Sequence, residues 1–350
     1  MFNKVTAEVA MEKNNRIPAA IIGLGRWGQN LVDSTLSDPK NKLCFTHAMT
    51  RTPNKVIDYC DRNKLILIDS FADIIREKSI QAVVLATPHS QHSDQVIAAA
   101  KAGKHVFVEK PFTLSLADGL AAVEACRAAK VNLAVGFNRR FLPAYNELKA
   151  LLNDGRLGTP LHIEGNFSGS FGNNYTKDMW RGSVTENPAG GMGAMGIHIL
   201  DLMIDLLGKV KTVTTNSSRR IVNTPVHDTT TTQIEFNSGA TANLTTMTAT
   251  SSTWKLHLFG SLGSAYLPNQ HKLEFTKIDN ITETTEFEFI DTLALELNSF
   301  AETILGETDF PVKISEALAG VSAMEAIGKS AESGLKVKVD SGFKSFKSTL

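Results

Sequence analysis

Gly103-Lys104-His105-Val106-Phe107-Val108-Glu109-Lys110-Pro111-Phe112-Thr113-Leu114-Ser115 is the stretch on which the fold of this chain turns. It opens on a turn glycine and runs into Val106, Phe107 and Val108, an apolar run of buried-strand type. Glu109, Lys110 and Pro111 come next, three residues unsuited to a strand interior, since proline has no N–H to give a sheet ladder. A strand therefore ends here, with an acid and a base at its carboxyl edge. That edge is where open parallel sheets bind ligands. A solvated charge pair in a loop is the plainer alternative. The chain before this stretch reads as a cofactor-binding half, and the chain after it reads as a substrate half.

Working back toward the start, Ala19-Ala20-Ile21-Ile22 meets Gly23-Leu24-Gly25-Arg26-Trp27-Gly28, and a helical pattern continues through Leu31, Val32 and Leu36. This is G-x-G-x-x-G between a strand and a helix. The first glycine permits a tight turn, the second lets backbone approach a pyrophosphate, and the third lets strand and helix pack closely. Amides at the helix start then face the phosphates. A glycine turn without a ligand is the alternative. A second strand, Lys42 to Met49, ends at Thr50-Arg51-Thr52-Pro53. NAD-preferring folds usually place an acid there for the ribose 2′-hydroxyl. Thr50 and Arg51 suit a 2′-phosphate instead, so NADP is the expected cofactor, with NAD possible and an exposed turn arginine as the competing reading.

The pattern then alternates. Helices are expected from Asn54 to Asn63 and from Phe71, with a strand at Leu65 to Ile68 between them. A buried strand, Gln81 to Ala86, is capped by Thr87-Pro88-His89-Ser90-Gln91-His92, with Ser90 the expected N-cap of a helix Asp94 to Lys101. His89 and His92 could touch cofactor or only decorate the turn. Lys104 to Glu109, a helix Ala117 to Ala129 and Val131 to Val135 complete six strands alternating with helices, a doubly wound parallel sheet.

Downstream, Gly136-Phe137-Asn138-Arg139-Arg140-Phe141 leads into a helix, Ala144 to Leu152. Thr159 to Ser170 alternates, and a loop from Gly172 to Pro188 carries Trp180-Arg181. A strongly apolar helix starts in Gly190-Gly191-Met192-Gly193-Ala194-Met195-Gly196-Ile197-His198-Ile199-Leu200-Asp201 and ends near Gly208. Lys211 to Phe289 is Thr-rich and alternating, which predicts a large, mostly antiparallel open sheet. Its outer face is expected to be less polar than a solvated face, as subunit contact would require. Helices Thr292 to Leu305 and Ser315 to Glu332 and a strand Lys336 to Val339 close the pattern. The division is a polar tail 1–16, a dinucleotide-binding Rossmann domain 17–137, a substrate-binding and oligomerisation α+β domain 138–340, and a tail 341–350. The last helices and strand are expected to pack back toward the first domain.

The 350 residues hold 36 Lys+Arg against 36 Asp+Glu, a balance that argues against nucleic acid or a membrane surface as partner. A small soluble ligand is the better default. Cys44, Cys60 and Cys126 lack metal or disulfide spacing and read as reduced thiols in a cytoplasmic protein, with no metal site. No apolar run of 18 residues exists, and residues 1–16 lack the apolar region of a signal peptide. His198 lies in an apolar stretch, where a histidine is commonly a hydrogen-bonded core residue. Lys110 shifts that balance: a cation at a nicotinamide site can polarise a carbonyl while an imidazole moves the hydroxyl proton.

Gly23 to Gly28, Ala86-Thr87-Pro88, Glu109-Lys110-Pro111, Gly136 to Phe141, Trp180-Arg181, and Gly190-Gly191 with His198 and Asp201 together resemble the glucose–fructose oxidoreductase and inositol dehydrogenase family. The resemblance runs from about Pro18 to Val339. It implies NAD(P)-dependent oxidation or reduction of sugars, polyols, inositols or keto-sugars by a homodimer or homotetramer. It further implies that Lys110 is the catalytic lysine, near the nicotinamide ribose and the substrate, and that the peptide before Pro111 is cis. His198 matches the acid/base histidine and Arg139 a substrate contact. Trp180 and Arg181 match a loop near the cofactor, with ordinary loop packing as the alternative. Gly23, Gly25, Arg26, Trp27, Gly28, Thr50, Arg51, Thr87, Pro88, His92, Glu109 and Lys110 complete the expected cofactor contacts. Asp201 is expected to anchor its helix.

One departure stands out. Many family dehydrogenases carry an aspartate four residues before the histidine, and here that position is Ala194. Its absence puts an Asp/His relay in doubt. Two other readings remain beside the dehydrogenase: a non-catalytic nucleotide- or sugar-binding regulator, which retention of Lys110 and His198 opposes, and a redox-assisted glycosidase with tightly held NAD.

Overall fold

A computed structural model describes residues 16–340. The tails expected at 1–16 and 341–350 lie, apart from Arg16, outside the described residues. The first half is a six-stranded sheet in the order β3-β2-β1-β4-β5-β6. Its strands are β1 (Ile17–Ile22), β2 (Leu43–Met49), β3 (Ile66–Leu67), β4 (Ala82–Leu85), β5 (His105–Glu109) and β6 (Leu133–Gly136). Every pairing in it is parallel. Helices α1 (Arg26–Ser37), α2 (Ile57–Asn63), α3 (Phe71–Arg76), α4 (His92–Lys101) and α5 (Leu116–Ala129) cross between strands.

The period of two in the strands explains the layering. Ala20, Ile22, Val106 and Val108 enter one apolar cluster, whereas Ala19, Ile21 and Phe107 enter the other, on the opposite face. Val106, Phe107 and Val108 are fully buried, and each contributes about 1.5–3 kcal/mol of transfer free energy. Strand order reverses between β1 and β4, so a crevice opens there above the carboxyl ends.

Some local expectations change. The helix expected from Asn54 is a 3-10 turn, Pro53–Lys55, before α2 begins. Ser90 caps no helix: Gln91 precedes α4, and the Ser90 hydroxyl instead binds Glu186, whose carboxylate also accepts from the Ser90 N–H at 3.1 Å. A long-range carboxylate outcompetes the local cap.

After α6 (Pro143–Asn153) the chain builds β7 (Pro160–Ser168), then α7 (Gly196–Leu207), then β8 (Val210–Ser218), β9 (Thr229–Phe236), β10 (Thr241–Met247), β11 (Thr253–Gly260), β12 (Gly263–Asn269), β13 (Lys272–Lys277) and β14 (Thr282–Glu286). With β15 (Val337–Lys338) these form a nine-stranded sheet, β14-β13-β12-β11-β7-β10-β9-β8-β15. It is antiparallel except where β10 runs parallel to β7. Its inner face packs on α7 and on α9 (Ile314–Ser333). Gly165 in β7 permits the contact, because a Cβ there would lie 2.3 Å from Ile199 Cγ2 in α7. The outer face is more polar than expected: Thr231, Gln233, Thr241 and Asn243 stand exposed along β9 and β10. The apolar helix is also shorter than expected. Gly190–Met192 form a 3-10 turn, Gly193 to Met195 a further turn, and α7 begins only at Gly196.

Helix α8 (Thr292–Ile304) returns to the first sheet. Asn41 Nδ2 donates to Ala294 O at 2.9 Å, the Lys42 N–H donates to Asn298 Oδ1 at 2.9 Å, and Phe300 lies 5.7 Å from Phe107, centroid to centroid. Among the described residues no helix is long and apolar enough to cross a membrane.

Candidate active site

The glycine turn lies where β1 gives way to α1. A Cβ at Gly28 would lie 2.2 Å from Gly23 O, so only glycine allows the helix to start that close. A Cβ at Gly25 would meet nothing within 4 Å. Bare backbone at the N-cap of α1 therefore faces open space, a cradle that fits a pyrophosphate. Arg26 is exposed beside it, and Trp27 is half-buried with its indole nitrogen buried and unpartnered. Beyond the ends of β2 and β3, a pocket of about 300 Å³ is lined by Met49, Thr50, Arg51, Pro53, Leu67, Ile68 and Asp69. Asp69 is an acid outside the Thr50–Pro53 motif, and no sequence signal ties it to the cofactor.

The turn after β4 separates the two histidines. His92 is fully buried, with Nδ1 2.9 Å from Pro111 O and Nε2 3.1 Å from Thr87 O. The neutral ring donates its one N–H to one of these carbonyls and packs its other nitrogen against the second, so the buried His92 ties the β4 turn to the β5 turn rather than facing a ligand. This corrects the expected cofactor contact. His89 is also buried, its Nδ1 2.8 Å from Glu186 O and its ring edge-on to Trp180 at 4.9 Å. Thr87 donates to Gln95 Oε1 at 2.6 Å, and Pro88 is half-buried next to it. The 3-10 turn Trp180–Gly182 holds Arg181 4.2 Å above the Trp180 ring.

Lys110 comes directly after the last residue of β5, and the Lys110–Pro111 peptide is cis. Its Nζ donates to Ala194 O at 2.6 Å. Ala194, the position at which the resemblance led to the expectation of an aspartate, thus meets Lys110 through its backbone carbonyl. Burial pulls the Lys110 ammonium down to about 8, with Arg181 and Arg139 acting the same way and Glu109 and Glu296 opposing them.

His198 sits in the first turn of α7, near the positive end of the helix dipole. Its Nδ1 is buried without a partner, and its ring lies between Phe137 at 6.4 Å and Phe167 at 5.9 Å. Burial holds its pKa well below the usual range, and the charges of Lys110 and Arg139 push the same way. Phe167 also carries the Arg139 guanidinium 5.7 Å above its ring, while Arg139 Nε is buried and unpartnered. The neighbouring Arg140 is occupied elsewhere: its Nε donates to Asp201 Oδ2 at 2.6 Å and its Nη2 to Asp201 Oδ1 at 2.9 Å. Asp201 therefore anchors α7, as expected, through a buried pair.

Two carboxylates share this space. Glu109 is buried, with Oε1 unpartnered and Oε2 accepting from the Lys110 N–H at 3.3 Å; the Trp27 indole leans toward it outside hydrogen-bonding geometry. Glu296 of α8 is fully buried and neither oxygen has a partner. No motif marks it in the sequence, although helical spacing puts it on the inward face with Thr292 and Phe300. The arrangement joins a tunable cation, a neutral imidazole, a half-free guanidinium and a glycine cradle at one sheet edge. That set can bind a dinucleotide and polarise a substrate oxygen.

Residues 17–137 match the family described as oxidoreductase family, NAD-binding Rossmann fold, and residues 145–266 match the GFO/IDH/MocA C-terminal domain. The scyllo-inositol 2-dehydrogenase (NAD(+)) of Bacillus subtilis (strain 168) is 28% identical over 348 residues, covering 93% of this chain and 97% of that protein. The D-xylose 1-dehydrogenase (NADP(+)) 2 of Haloferax volcanii is 28% identical over 284 residues, covering 77% and 84%. In fold, the aldose-aldose oxidoreductase of Caulobacter crescentus, solved with glycerol, superposes with a TM-score of 0.82 at 23% identity, over 93% of this chain and 100% of that one. With its nucleotide half and its sheet half each matched in turn, the chain belongs to the GFO/IDH/MocA family of oxidoreductases.

Proposed function

We propose that this protein moves a hydride between a nicotinamide dinucleotide and a sugar, polyol, inositol or keto-sugar, with Lys110 and His198 as catalytic residues and Arg139 on the substrate. The observation that carries this reading is Lys110, held at the edge of β5 with its Nζ 2.6 Å from Ala194 O, four residues before His198, whose Nδ1 is buried without a partner. Gly23, Gly25, Gly28, Arg26 and Trp27 would hold the dinucleotide at the start of α1, Glu109, Thr87 and Pro88 would border its nicotinamide end, and Trp180 and Arg181 would close over it. Bound nicotinamide supplies the hydride chemistry itself. Lys110 donates its proton to the substrate oxygen during reduction, or accepts one during oxidation. His198 stays neutral near pH 7 and acts through its unprotonated ring or through water. A base this weak suits carbonyl reduction better than fast alcohol oxidation at neutral pH.

The cofactor is proposed to be NADP(H), with Arg51 on the 2′-phosphate. NAD(H) is the second reading: Asp69 lines the same pocket and could take a 2′-hydroxyl. The chain is proposed to act in the cytoplasm as a homodimer or homotetramer. The test is a panel of sugars, inositols and keto-sugars with each cofactor, monitored by dihydronicotinamide absorbance and by melting temperature. Hydride transfer with at least one polyol or keto-sugar is expected. Cofactor binding without any turnover would favour the regulator reading, and cofactor that survives gel filtration would favour the glycosidase.

A further inference from the structure

We infer that Glu296 is a positioning residue of this site, sharing one proton with Glu109 and releasing it when the oxidised, cationic nicotinamide is bound. The inference rests on the proposed cofactor. Glu296 lies on the inward face of α8 between Thr292, whose hydroxyl accepts from Asn138 Nδ2 at 2.9 Å in the turn that carries Arg139, and Phe300, whose ring is 5.7 Å from Phe107 of β5, the strand that ends at Glu109. It is fully buried, and both of its oxygens lack a hydrogen bond. Glu109 Oε1 and Arg139 Nε, also buried, are unpartnered as well. An ionised carboxylate without a donor is costly to bury, and two of them sharing one space cannot both stay charged.

The charges facing the pair set which one yields. Glu109 has Lys110 beside it, including the Lys110 N–H, with Arg139 and the Trp27 indole at longer reach. Glu296 faces Glu109 and Asp291, which raise it, against Arg139 and Lys110, which lower it. Burial is the largest upward push on both, but Lys110 offsets it at Glu109 while the Glu109 charge adds to it at Glu296, so Glu296 holds the proton and Glu109 the charge. Lys110 and Arg139 also bear on His198, and Arg181 bears on Lys110, so three cations stand against the pair and Asp291.

A positive ring arriving beside this cluster favours the ionised pair: the Glu296 carboxylic acid becomes a carboxylate, and its proton goes to buffer. A neutral dihydronicotinamide has no such effect. The pair would thus keep the local charge matched to the redox state of the cofactor, and would present Arg139 with a charged partner only when an alcohol is to be oxidised.

The test is calorimetric titration of the intact protein with NADP⁺ and with NADPH, and in parallel with NAD⁺ and NADH, in buffers of different ionisation enthalpy between about pH 6 and 9. Phosphate ionisation is common to both redox forms and cancels in the comparison. Wild type is expected to release up to about one more proton with the oxidised form, whose affinity then climbs by up to about tenfold per pH unit while the reduced form stays flat. Glu296→Gln should abolish the difference and change affinity for the reduced form by less than about threefold. Equal proton counts for the two forms in wild type overturn the inference. So does a difference that persists in Glu296→Gln, which would assign the proton to Lys110. Failure of both forms to bind removes the cofactor reading along with it. An infrared difference spectrum of wild type gives a reading that needs no variant. Loss of a buried carboxylic acid carbonyl band on adding the oxidised form supports the inference, and persistence of that band refutes it.

Discussion

Replacing Lys110 with Met tests the site at its centre. Methionine keeps most of the apolar stem and removes the charge. With its pKa drawn down to about 8, Lys110 is still roughly nine-tenths protonated at pH 7, so the wild-type site works with a nearly full positive charge. A preorganised donor aimed at a developing oxyanion contributes about 2.7–4 kcal/mol, or two to three orders of magnitude in turnover. The fold should lose little. Ala194 O forfeits its 2.6 Å bond, at about 1–3 kcal/mol, while removal of a desolvated ammonium offsets a similar amount. The melting temperature is therefore expected to move by only a few degrees. Single-turnover hydride transfer, measured beside a cofactor titration and a melt, separates these effects. A folded variant that binds cofactor and turns over within about tenfold of wild type would refute the assignment and leave Lys110 as a packing choice.

The same geometry dictates other outcomes. Reduction needs the Lys110 ammonium and should fall as pH rises through about 8, while oxidation needs the free amine and should rise through the same pH; a pH–rate profile in each direction checks both slopes. Arg51→Ala should weaken NADP(H) by roughly 1–3 kcal/mol and leave NAD(H) unchanged; equal loss for both, by fluorescence titration, would remove the 2′-phosphate contact. Gly28→Ala should lower both the melting temperature and cofactor affinity, since its Cβ meets Gly23 O at 2.2 Å. Gly25→Ala, whose Cβ meets nothing within 4 Å, should melt normally yet bind cofactor about tenfold more weakly. Ala194→Asp should move the Lys110 inflection upward and, by shrinking the free-amine fraction, lower oxidation relative to reduction near pH 7. A stable variant with unchanged slopes and rate ratio would put the new carboxylate out of reach of Lys110.

The fold is legible in the chain because its signals are local and periodic. Val106, Phe107 and Val108 announce a buried strand, Pro111 ends it, and the glycines from Gly23 to Gly28 mark the first turn. The nine-stranded sheet announces itself through alternation over Thr-rich segments. The features that stay hidden depend on partners far along the chain. Ser90 looks like a cap until Glu186 arrives from nearly a hundred residues away. Glycines and apolar residues from Gly190 onward look helical, yet the backbone stays in turns until Gly196. His92 looks free to meet a ligand because nothing in its own neighbourhood foretells the carbonyls of Pro111 and Thr87. Glu296 stays hidden for the opposite reason: an acid in an amphipathic helix is ordinarily a solvated residue, and only the packing of α8 on the first sheet buries it.

The substitution at position 194 carries the chemistry a step further. A carboxylate there would raise both Lys110 and His198, dividing proton exchange between them. The backbone carbonyl that Lys110 meets instead accepts a hydrogen bond but carries no charge, so it does little to offset the burial and the neighbouring guanidinium groups that lower both pKa values. Burial holds His198 well below its ordinary pKa and so neutral near pH 7, whereas Lys110 stops at about 8, within reach of physiological conditions. In the proposed mechanism proton exchange with substrate therefore falls to Lys110, and the balance between reduction and oxidation would be set by whether that one nitrogen is charged.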